Sequence, residues 1–224
     1  DPMVRMALNV AIDRQAMVDS LFLGYATIAK GHHVNPSAFG FNDALEPHPY
    51  DPEAAKALIA EAGATGKTLQ VVGESGRWLK DREQIEAVAA YWAETGLKVD
   101  VQIQEFSQYL DSLMGDGPRP DSIFIANSNE LLDADREASF IYHMDGAAAS
   151  NSDAEMAAMI DKARVTTDVA AREALYAEIF KRGYDRDYTV PLFNLQDIYG
   201  MSTRMEWTPR ADAKMIIKEM SVVE

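Results

Sequence analysis

Two short stretches of the sequence carry side chains suited to binding a small polar solute. The first contains Arg77 and Trp78, which follow directly on residues 73–76, a segment with a glycine at each end. A guanidinium can hold a carboxylate through two parallel hydrogen bonds, and an indole ring can cover an apolar side chain. This pair therefore predicts contact with a ligand that bears a carboxylate. The alternative is an exposed arginine beside a tryptophan packed on the edge of a sheet.

The second stretch contains Asn127, Ser128 and Asn129, which follow an apolar run at 122–126. A run of this length is typical of a buried strand. The three polar residues therefore stand at the carboxyl end of a predicted strand, which makes them candidates for ligand binding. The alternative is a plain turn, since asparagine and serine are common in turns.

A strand, a helix and a second strand are predicted to position the first stretch. The first strand, at 68–72, is rich in β-branched residues. We expect Asp81 to cap the helix while the side chain of Gln84 reaches back to its first turn. Gly96 is expected to end the helix in the left-handed conformation, and residues 97–103 then alternate between apolar and polar, as a half-buried strand does.

Such a unit almost always forms a right-handed crossover between parallel strands. In open α/β sheets, ligands bind in crevices beyond the carboxyl ends of the strands. This rule places the ligand at residues 73–78, and residues 127–129 stand at the matching end of another strand. The predicted fold is α/β, with a mixed sheet flanked by helices.

The remainder of the chain is predicted to be mainly helical. Residues 25–49 lack periodicity and predict a long loop, and Ser152 with Glu155 resembles a capping box. Two further strands are predicted at 188–195 and 198–202, and the tail past Thr208 shows no clear partner within the chain. Outside the central unit, we expect helices to begin at or near Pro2, Asp13, Asp51, Phe106, Asp135, Ser152 and Asp168.

The composition limits the classes of partner. The 224 residues include 21 basic and 36 acidic side chains, so the formal net charge is −15, which argues against binding to nucleic acid or to an anionic membrane. The absence of cysteine excludes disulfides and thiolate metal sites. No apolar run approaches the roughly 20 residues of a membrane-spanning helix. The sequence opens with an amphipathic helix and no leader, so we expect it to be part of a larger protein.

A metal site is not expected. Acidic residues at alternate positions, Asp133, Asp135 and Glu137, resemble the start of a calcium-binding loop. However, Ala138 stands where that loop requires glycine, and Met144 stands where it requires glutamate. We therefore expect the aspartates to cap a helix and to face solvent.

The histidines and the sequence motifs do not indicate a catalytic site. His32 and His33 are adjacent in sequence, so their side chains point apart and are poorly placed to share a metal ion. The sequence contains no nucleophile elbow, no H-E-x-x-H helix and no phosphate-binding loop. We expect no cofactor and no enzymatic activity. A hydrolase domain and an interaction module remain the alternatives from other classes.

Five segments, taken together, resemble family 5 of the extracellular solute-binding proteins, the peptide, dipeptide and glutathione receptors of ABC importers. The segments occur in the expected order over nearly the whole chain, which is more specific than any one of them. They are D-P-x-V-R-x-A-L-x-x-A-I-D-R at 1–14, Y-D-P-E-A-A-K-A-L-I-A-E-A-G at 50–63, G-R-W-L-K-D-x-E-Q…G-L-K-V at 76–99, L-D-A-D at 132–135 and V-P-L-F-N at 190–194.

The resemblance implies a receptor of two lobes that close about a hinge onto a ligand. The chain matches the later half, so residues 1–208 are expected to form the second lobe, and residues 209–224 the segment that returns to a missing N-terminal lobe. The implied partners are a short peptide or other small molecule and the ABC permease subunits. The implied location is the periplasm, or the outer surface with a membrane tether. An exposed cleft face could also pair two copies of the chain as a homodimer.

The resemblance implies that the second polar stretch, residues 127–129, approaches the backbone of the ligand. The sequence departs from the family pattern near this stretch. Many relatives carry a Gly-Trp pair there, whereas this chain has Phe124 and Ile125. In some relatives an aspartate near Asp133 holds the α-amino group of a peptide. Since some members of the family bind chelated nickel, and since this departure bears on peptide specificity, a receptor for a nickel chelate or another non-peptide solute is the alternative function.

Overall fold

A computed structural model describes residues 1–115 and 117–223. The helices are α1 Pro2–Val10, α2 Arg14–Phe22, α3 Pro52–Glu61, α4 Asp81–Glu94, α5 Phe106–Met114, α6 Asp135–Glu137, α7 Ala154–Val165 and α8 Val169–Asp185, with a π-helical turn at Ala138–Tyr142 and a 3-10 turn at Ile217–Glu219. The strands are β1 Ala26–Ile28, β2 Thr68–Glu74, β3 Lys98–Gln104, β4 Ser122–Ile123, β5 Phe193–Leu195, β6 Met205–Glu206 and β7 Ser221–Val222. In the described part of the chain, no helix has both the length and the apolar character needed to cross a membrane.

The predicted strand, helix and strand form a parallel unit. β2 pairs with β3 from Thr68–Lys98 to Glu74–Gln104, and β4 pairs in parallel with the other side of β2. The strand order is β3-β2-β4, with α4 as the crossover between β2 and β3. This confirms the predicted parallel pairing and the α/β class. β2 extends two residues beyond the predicted end at 72, and β4 is shorter than the predicted run at 122–126.

Helix α4 packs on the sheet through its apolar stripe. Ile85, Val88 and Trp92 are buried, as their spacing predicts, and they join a core that includes residues of α1 and α3. The indole Nε1 of Trp92 donates a buried hydrogen bond of 2.9 Å to the carbonyl oxygen of Leu8. This bond connects the crossover helix to α1. Gly96 follows α4 with φ +101°, which confirms the predicted left-handed end.

A second core lies around α7, α8 and the π-helical turn. It contains aromatic rings in edge and stacked contacts, with Tyr142, Tyr176 and Phe180 almost fully buried. Asp153 caps α7 by accepting hydrogen bonds from the amides of Glu155 and Met156. The predicted capping box on Ser152 was therefore wrong by one residue, because the aspartate next to Ser152 takes the cap position.

The segments around β1 and β5 correct two strand predictions. The predicted loop at 25–49 contains β1, which pairs antiparallel with β5, Ala26 opposite Leu195. The predicted strand at 188–195 is regular only in β5, and 198–202 forms no strand. The backbone before β5 is held by a side chain instead of a strand partner. The buried guanidinium of Arg14 donates one hydrogen bond to the carbonyl oxygen of Pro191 (2.8 Å) and another to that of Asn9 in α1 (3.0 Å).

The tail has a partner within the chain. β7 pairs antiparallel with β6, with Met205 opposite Val222, so the expectation that the tail has none was wrong. The tail nevertheless exposes large apolar side chains, including Met215 and Ile217, whose exposed fractions are 63% and 82%. The last residue of the predicted returning segment, Glu224, lies outside the described residues.

The Trp92 hydrogen bond gives a stability prediction. Trp92→Phe should lower the free energy of unfolding by about 1 to 3 kcal/mol, because the buried carbonyl oxygen of Leu8 loses its donor. Urea unfolding measures this difference. The control is Trp207→Phe, since the shielded Nε1 of Trp207 has no partner among the described residues. Equal losses in the two variants would show that the Trp92 hydrogen bond adds nothing beyond the packing of the ring.

Candidate functional site

A cavity of about 1250 Å³ is lined by all five residues that the sequence singled out. Arg77 and Trp78 border it after β2, and Asn127, Ser128 and Asn129 border it after β4. β2 and β4 are adjacent and parallel, so their carboxyl ends lie at the same edge of the sheet. The structure therefore brings the two predicted stretches to one cavity. Whether these side chains contact a ligand stays a prediction.

The loop that carries Arg77 is held by one buried carboxylate. Asp81 accepts hydrogen bonds from the backbone amides of Gly76 (3.1 Å), Arg77 (3.0 Å) and Trp78 (3.0 Å), and from the amide of Arg82 (2.7 Å). Burial alone would raise the pKa of the Asp81 carboxyl, but the four amide donors outweigh burial, and the pKa lies below its usual value. Asp81 therefore stays ionised and fixes the path of the loop.

This role differs from the capping role predicted for Asp81. Lys80, with φ +57°, is the residue that precedes α4, and its side chain makes no capping hydrogen bond. Asp81 is the first residue of the helix and turns its carboxylate back onto the loop. The side chain of Gln84 donates to the carbonyl oxygen of Leu79 (2.8 Å) and does not complete a capping box. Asp81 and Gln84 together hold the loop at residues 76–79 onto the start of α4.

The guanidinium of Arg77 lies against two aromatic rings. Its Cζ is 4.7 Å from the ring centre of Phe106 and 5.4 Å from that of Trp78, distances typical of cation–π contacts. Its Nε is 3.7 Å from Glu74 Oε1, and the Arg77 side chain is 51% exposed. Burial raises the pKa of the Glu74 carboxyl, and the Arg77 charge partly offsets this effect. Arg77 is thus oriented by stacking, while much of its surface stays accessible.

The side chains of the second stretch are partly engaged within the protein. Asn127 accepts a hydrogen bond from Arg136 (2.9 Å) and donates one to Glu137 Oε2 (2.6 Å). Asn129 donates to the carbonyl oxygen of Asp133 (2.8 Å), which closes a short loop. Ser128 is exposed, and its hydroxyl makes only a long contact of 3.4 Å with Glu130. Of the three side chains, that of Ser128 is the least engaged.

Glu137 is a cavity residue that the sequence analysis did not assign to the site. It lines the cavity and is only 1% exposed. Burial raises the pKa of its carboxyl to about 6, although the hydrogen bond from Asn127 and the charge of Arg136 act in the opposite direction. A signal was present, because Glu137 lies between Ala134 and Ile141 at helical spacing, where an apolar side chain is expected.

Asp133 and Asp135, which resemble part of a calcium-binding loop in sequence, form contacts within the protein. Both carboxylate oxygens of Asp133 accept hydrogen bonds from Arg172, at 2.7 and 2.8 Å. Asp135 accepts a hydrogen bond from the hydroxyl of Ser139 (3.0 Å) and lies 3.5 Å from Arg164. Within the part of the chain that the structure describes, no three histidine or acidic side chains are grouped to hold a metal ion.

The adjacent histidines have separate surroundings. His32 is buried, accepts a hydrogen bond from the amide of Val34 through Nδ1 and stacks on Phe180. The ring of His33 faces that of Tyr142 at 6.0 Å, and its shielded Nε2 has no partner among the described residues. Burial, with a small contribution from His32, lowers the pKa of His33 to about 4. Both rings line the cavity, and His33 is neutral at physiological pH.

The sequence matches one family model and several known proteins. The family model described as bacterial extracellular solute-binding proteins, family 5 Middle, matches residues 1–175. The chain is 34% identical over 111 residues to heme-binding protein A of Haemophilus influenzae, a match that covers 47% of the chain and 20% of that protein. It is 31% identical over 123 residues to the glutathione-binding protein GsiB of Salmonella choleraesuis, covering 55% of the chain and 24% of the relative.

A solved structure gives the same fold. The periplasmic binding protein DppA of Helicobacter pylori, in complex with the peptide STSA, superposes with a TM-score of 0.74 at 23% identity. The superposition covers 86% of the chain and 38% of DppA. This likeness supports the predicted mixed α/β architecture. The chain spans well under half of the length of each of these proteins.

The Asp81 contacts predict that the protein loses stability when the Asp81 charge is removed. Asp81→Asn should lower the free energy of unfolding at pH 7 by about 1 to 3 kcal/mol, because three loop amides lose a charged acceptor. The folded-state pKa of Asp81 is depressed below 3.8, so this stabilisation is complete above that value and is lost as the pH falls through the folded-state pKa. Urea unfolding at pH 7 and at pH 3 measures it. The control is Asp111→Asn at an exposed position; a matching loss there at pH 7 would contradict the account.

Proposed function

The chain belongs to family 5 of the bacterial extracellular solute-binding proteins, and on this premise we propose that it forms one wall of the ligand cleft in an ABC-importer receptor. The proposed ligand is a small peptide or a similar solute that carries a carboxylate. The proposed mechanism is capture by closure of two lobes about a hinge, with no covalent chemistry. We place the receptor in the periplasm, or tethered outside the membrane, where it would deliver the solute to the permease subunits.

One observation carries the choice of ligand: the accessible guanidinium of Arg77 at the carboxyl end of β2. The guanidinium lies over the rings of Phe106 and Trp78, and the loop beneath it is fixed by Asp81. Pre-orientation lowers the entropy cost of binding a carboxylate through two hydrogen bonds. The weak contact with Glu74, at 3.7 Å, leaves the terminal nitrogens able to take a stronger acceptor.

The remainder of the cleft would come from residues outside this chain. The relatives are more than twice as long as the part that the chain matches, so we propose that a second lobe supplies the opposite wall. The exposed apolar side chains of the tail, Met215 and Ile217, are suited to packing against such a lobe. In isolation, the exposed cleft face could instead pair two copies of the chain as a homodimer.

A non-peptide solute is the second candidate, and two observations favour it. The heme-binding relative has the higher identity of the two, and the position of the Gly-Trp pair holds Phe124 and Ile125, both of which line the cavity. These apolar side chains would suit a ligand with a larger apolar surface. A binding screen of the intact protein should therefore include hemin and nickel chelates beside glutathione and dipeptides.

The function predicts a defined loss of affinity. In the intact protein, Arg77→Ala should weaken glutathione or the tightest-binding dipeptide by about 1.5 to 3 kcal/mol, or roughly 10- to 150-fold in Kd, because a charged hydrogen-bond donor is removed. Isothermal titration calorimetry measures the change. Arg82→Ala is the matched control, since Arg82 pairs with Glu86 on the exposed face of α4 and should leave Kd unchanged.

Two outcomes would count against the proposal. Equal affinities of the Arg77→Ala and Arg82→Ala proteins would remove Arg77 from the site while leaving the receptor function standing. If the intact protein binds none of the peptides, glutathione, chelates or hemin, the receptor function itself is contradicted. Arg77→Lys should recover only part of the affinity, because a lysine keeps the charge but loses the planar stacking and the paired hydrogen bonds.

A further inference from the structure

Glu74 is a buried carboxylate that lies beside the guanidinium of Arg77. It ends β2 and is only 6% exposed. Arg77 is the one basic residue that pairs with it in the described part of the chain, with Nε 3.7 Å from Oε1. An ionised carboxylate removed from water is costly unless a cation or several donors compensate it. The charge of Glu74 therefore depends on the same guanidinium to which we assign the ligand.

The other groups around Glu74 compensate its charge only weakly. Burial is the largest cause that raises the pKa of its carboxyl above 4.5, and the charge of Asp81, at the start of α4, acts in the same direction. The charge of Arg77 and, to a smaller extent, the side chain of Trp78 lower this pKa. On α5, burial and the Glu74 charge raise the pKa of the Tyr109 hydroxyl to about 12, so this group is neutral. The β3 residue that pairs with Glu74 carries no charge.

A ligand carboxylate would compete with Glu74 for the charge of Arg77. Arg77 lines the cavity, whereas Glu74 does not. A carboxylate on the terminal nitrogens of Arg77 would share the charge that compensates Glu74 and would bring a second negative charge close to it. When two carboxylates lie close together away from water, the pKa of one of them rises. Since the ligand carboxylate holds the paired hydrogen bonds of the guanidinium, Glu74 is the group that takes up the proton.

We propose that binding of a ligand carboxylate at Arg77 is coupled to protonation of Glu74. A proton passes from the solvent to the Glu74 carboxylate when the complex forms, and no covalent bond of the ligand changes. The inference rests on the proposed function and adds regulation to it, because the receptor would capture its ligand more tightly as the medium becomes acidic. Glu74 acts through Arg77 and does not itself contact the ligand.

The direction of the pH effect follows from the sign of this coupling. In the unliganded protein the pKa of Glu74 already lies above 4.5, and the bound carboxylate raises it further. Affinity is therefore greatest below the unliganded pKa, falls as the pH rises between the two values, and is level above the liganded one. A difference of one pKa unit corresponds to about a tenfold change in Kd and, midway between the two values, to uptake of about half a proton.

The test compares ligands with and without the carboxylate as the pH is changed. The intact protein is titrated between pH 5 and pH 7.5 with Ala-Leu, with glutathione, and with the C-terminal amides of both. The preference for the acid is the Kd of the amide divided by the Kd of the acid, and it should fall by roughly 3- to 10-fold over this range. Titration of Glu137, whose pKa is about 6, cancels in this ratio because the acid and the amide share the rest of the ligand.

Glu74→Gln separates the coupling from a purely structural role. The variant has nearly the same side-chain shape but no charge, so its preference for the acid should stay at or above the acid-pH level of the unmutated protein at every pH. A preference that is lower at every pH would mean that Glu74 only orients Arg77, and would overturn the inference. Glu86→Gln is the control, since Glu86 pairs with Arg82 on the exposed face of α4 and should leave the pH dependence intact.

A calorimetric measurement needs no variant. The intact protein is titrated with each acid in phosphate and in Tris buffer, at the pH where the preference changes most. Because the two buffers ionise with different heats, the difference in the heat of binding gives the number of protons taken up. About half a proton should be taken up with each acid and less with its amide. The same heat of binding in both buffers would contradict the coupling.

The outcomes separate failure of this inference from failure of the proposed function. If the acids are preferred by the same factor at every pH, the coupling to Glu74 is overturned, while the receptor function and the role of Arg77 stand. If acids and amides bind equally well at every pH, the carboxylate role of Arg77 fails, and the coupling fails with it. If neither Ala-Leu nor glutathione binds, the inference fails together with the peptide-like ligand class.

Discussion

The candidate site depends on the Asp81 carboxylate, which gathers the amides of residues 76–78 at the end of the central strand. Four backbone donors keep this buried acid ionised, and the ionised acid keeps the loop in one path. The Asp81 contact fixes the backbone of Arg77, whose guanidinium lies over two aromatic rings. The parallel pairing of β2 with β3 and β4 supplies the rigid edge on which the loop stands.

Much of the fold could be predicted because its determinants are local. The periodicity of α4, the left-handed Gly96 and the caps on Asp13, Asp51 and Asp168 are each set by residues within a few positions of one another. The short strands could not be predicted in the same way. β1 with β5, and β6 with β7, are only two or three residues long and exist because a distant segment pairs with them. The capping box on Ser152 failed because Asp153 is an equally good local cap.

The position of the candidate site could also be predicted from the sequence, but the contacts of its side chains could not. The rule on carboxyl ends of strands located both polar stretches, because it follows from topology and not from side-chain detail. The partners of each side chain were not predictable. Asn127 and Asn129 direct their amides to Glu137 and to the Asp133 carbonyl, and Asp81 turns toward the loop. The burial of Glu137 agrees with its helical spacing between Ala134 and Ile141, but its hydrogen bond with Asn127 joins two segments that no local pattern pairs. The ligand-contact roles of all five predicted residues stay predictions.

Amide hydrogen exchange on the intact protein, with and without saturating glutathione or the tightest dipeptide of the screen, tests the central claim most directly. The claim is that the carboxyl ends of β2 and β4 form the ligand-facing wall. Exchange should slow on binding at residues 74–80 and 124–130, because contact and lobe closure exclude water from these loops, while the exposed face of α4 should not change. A ligand that binds tightly yet leaves both loops unprotected would contradict the account.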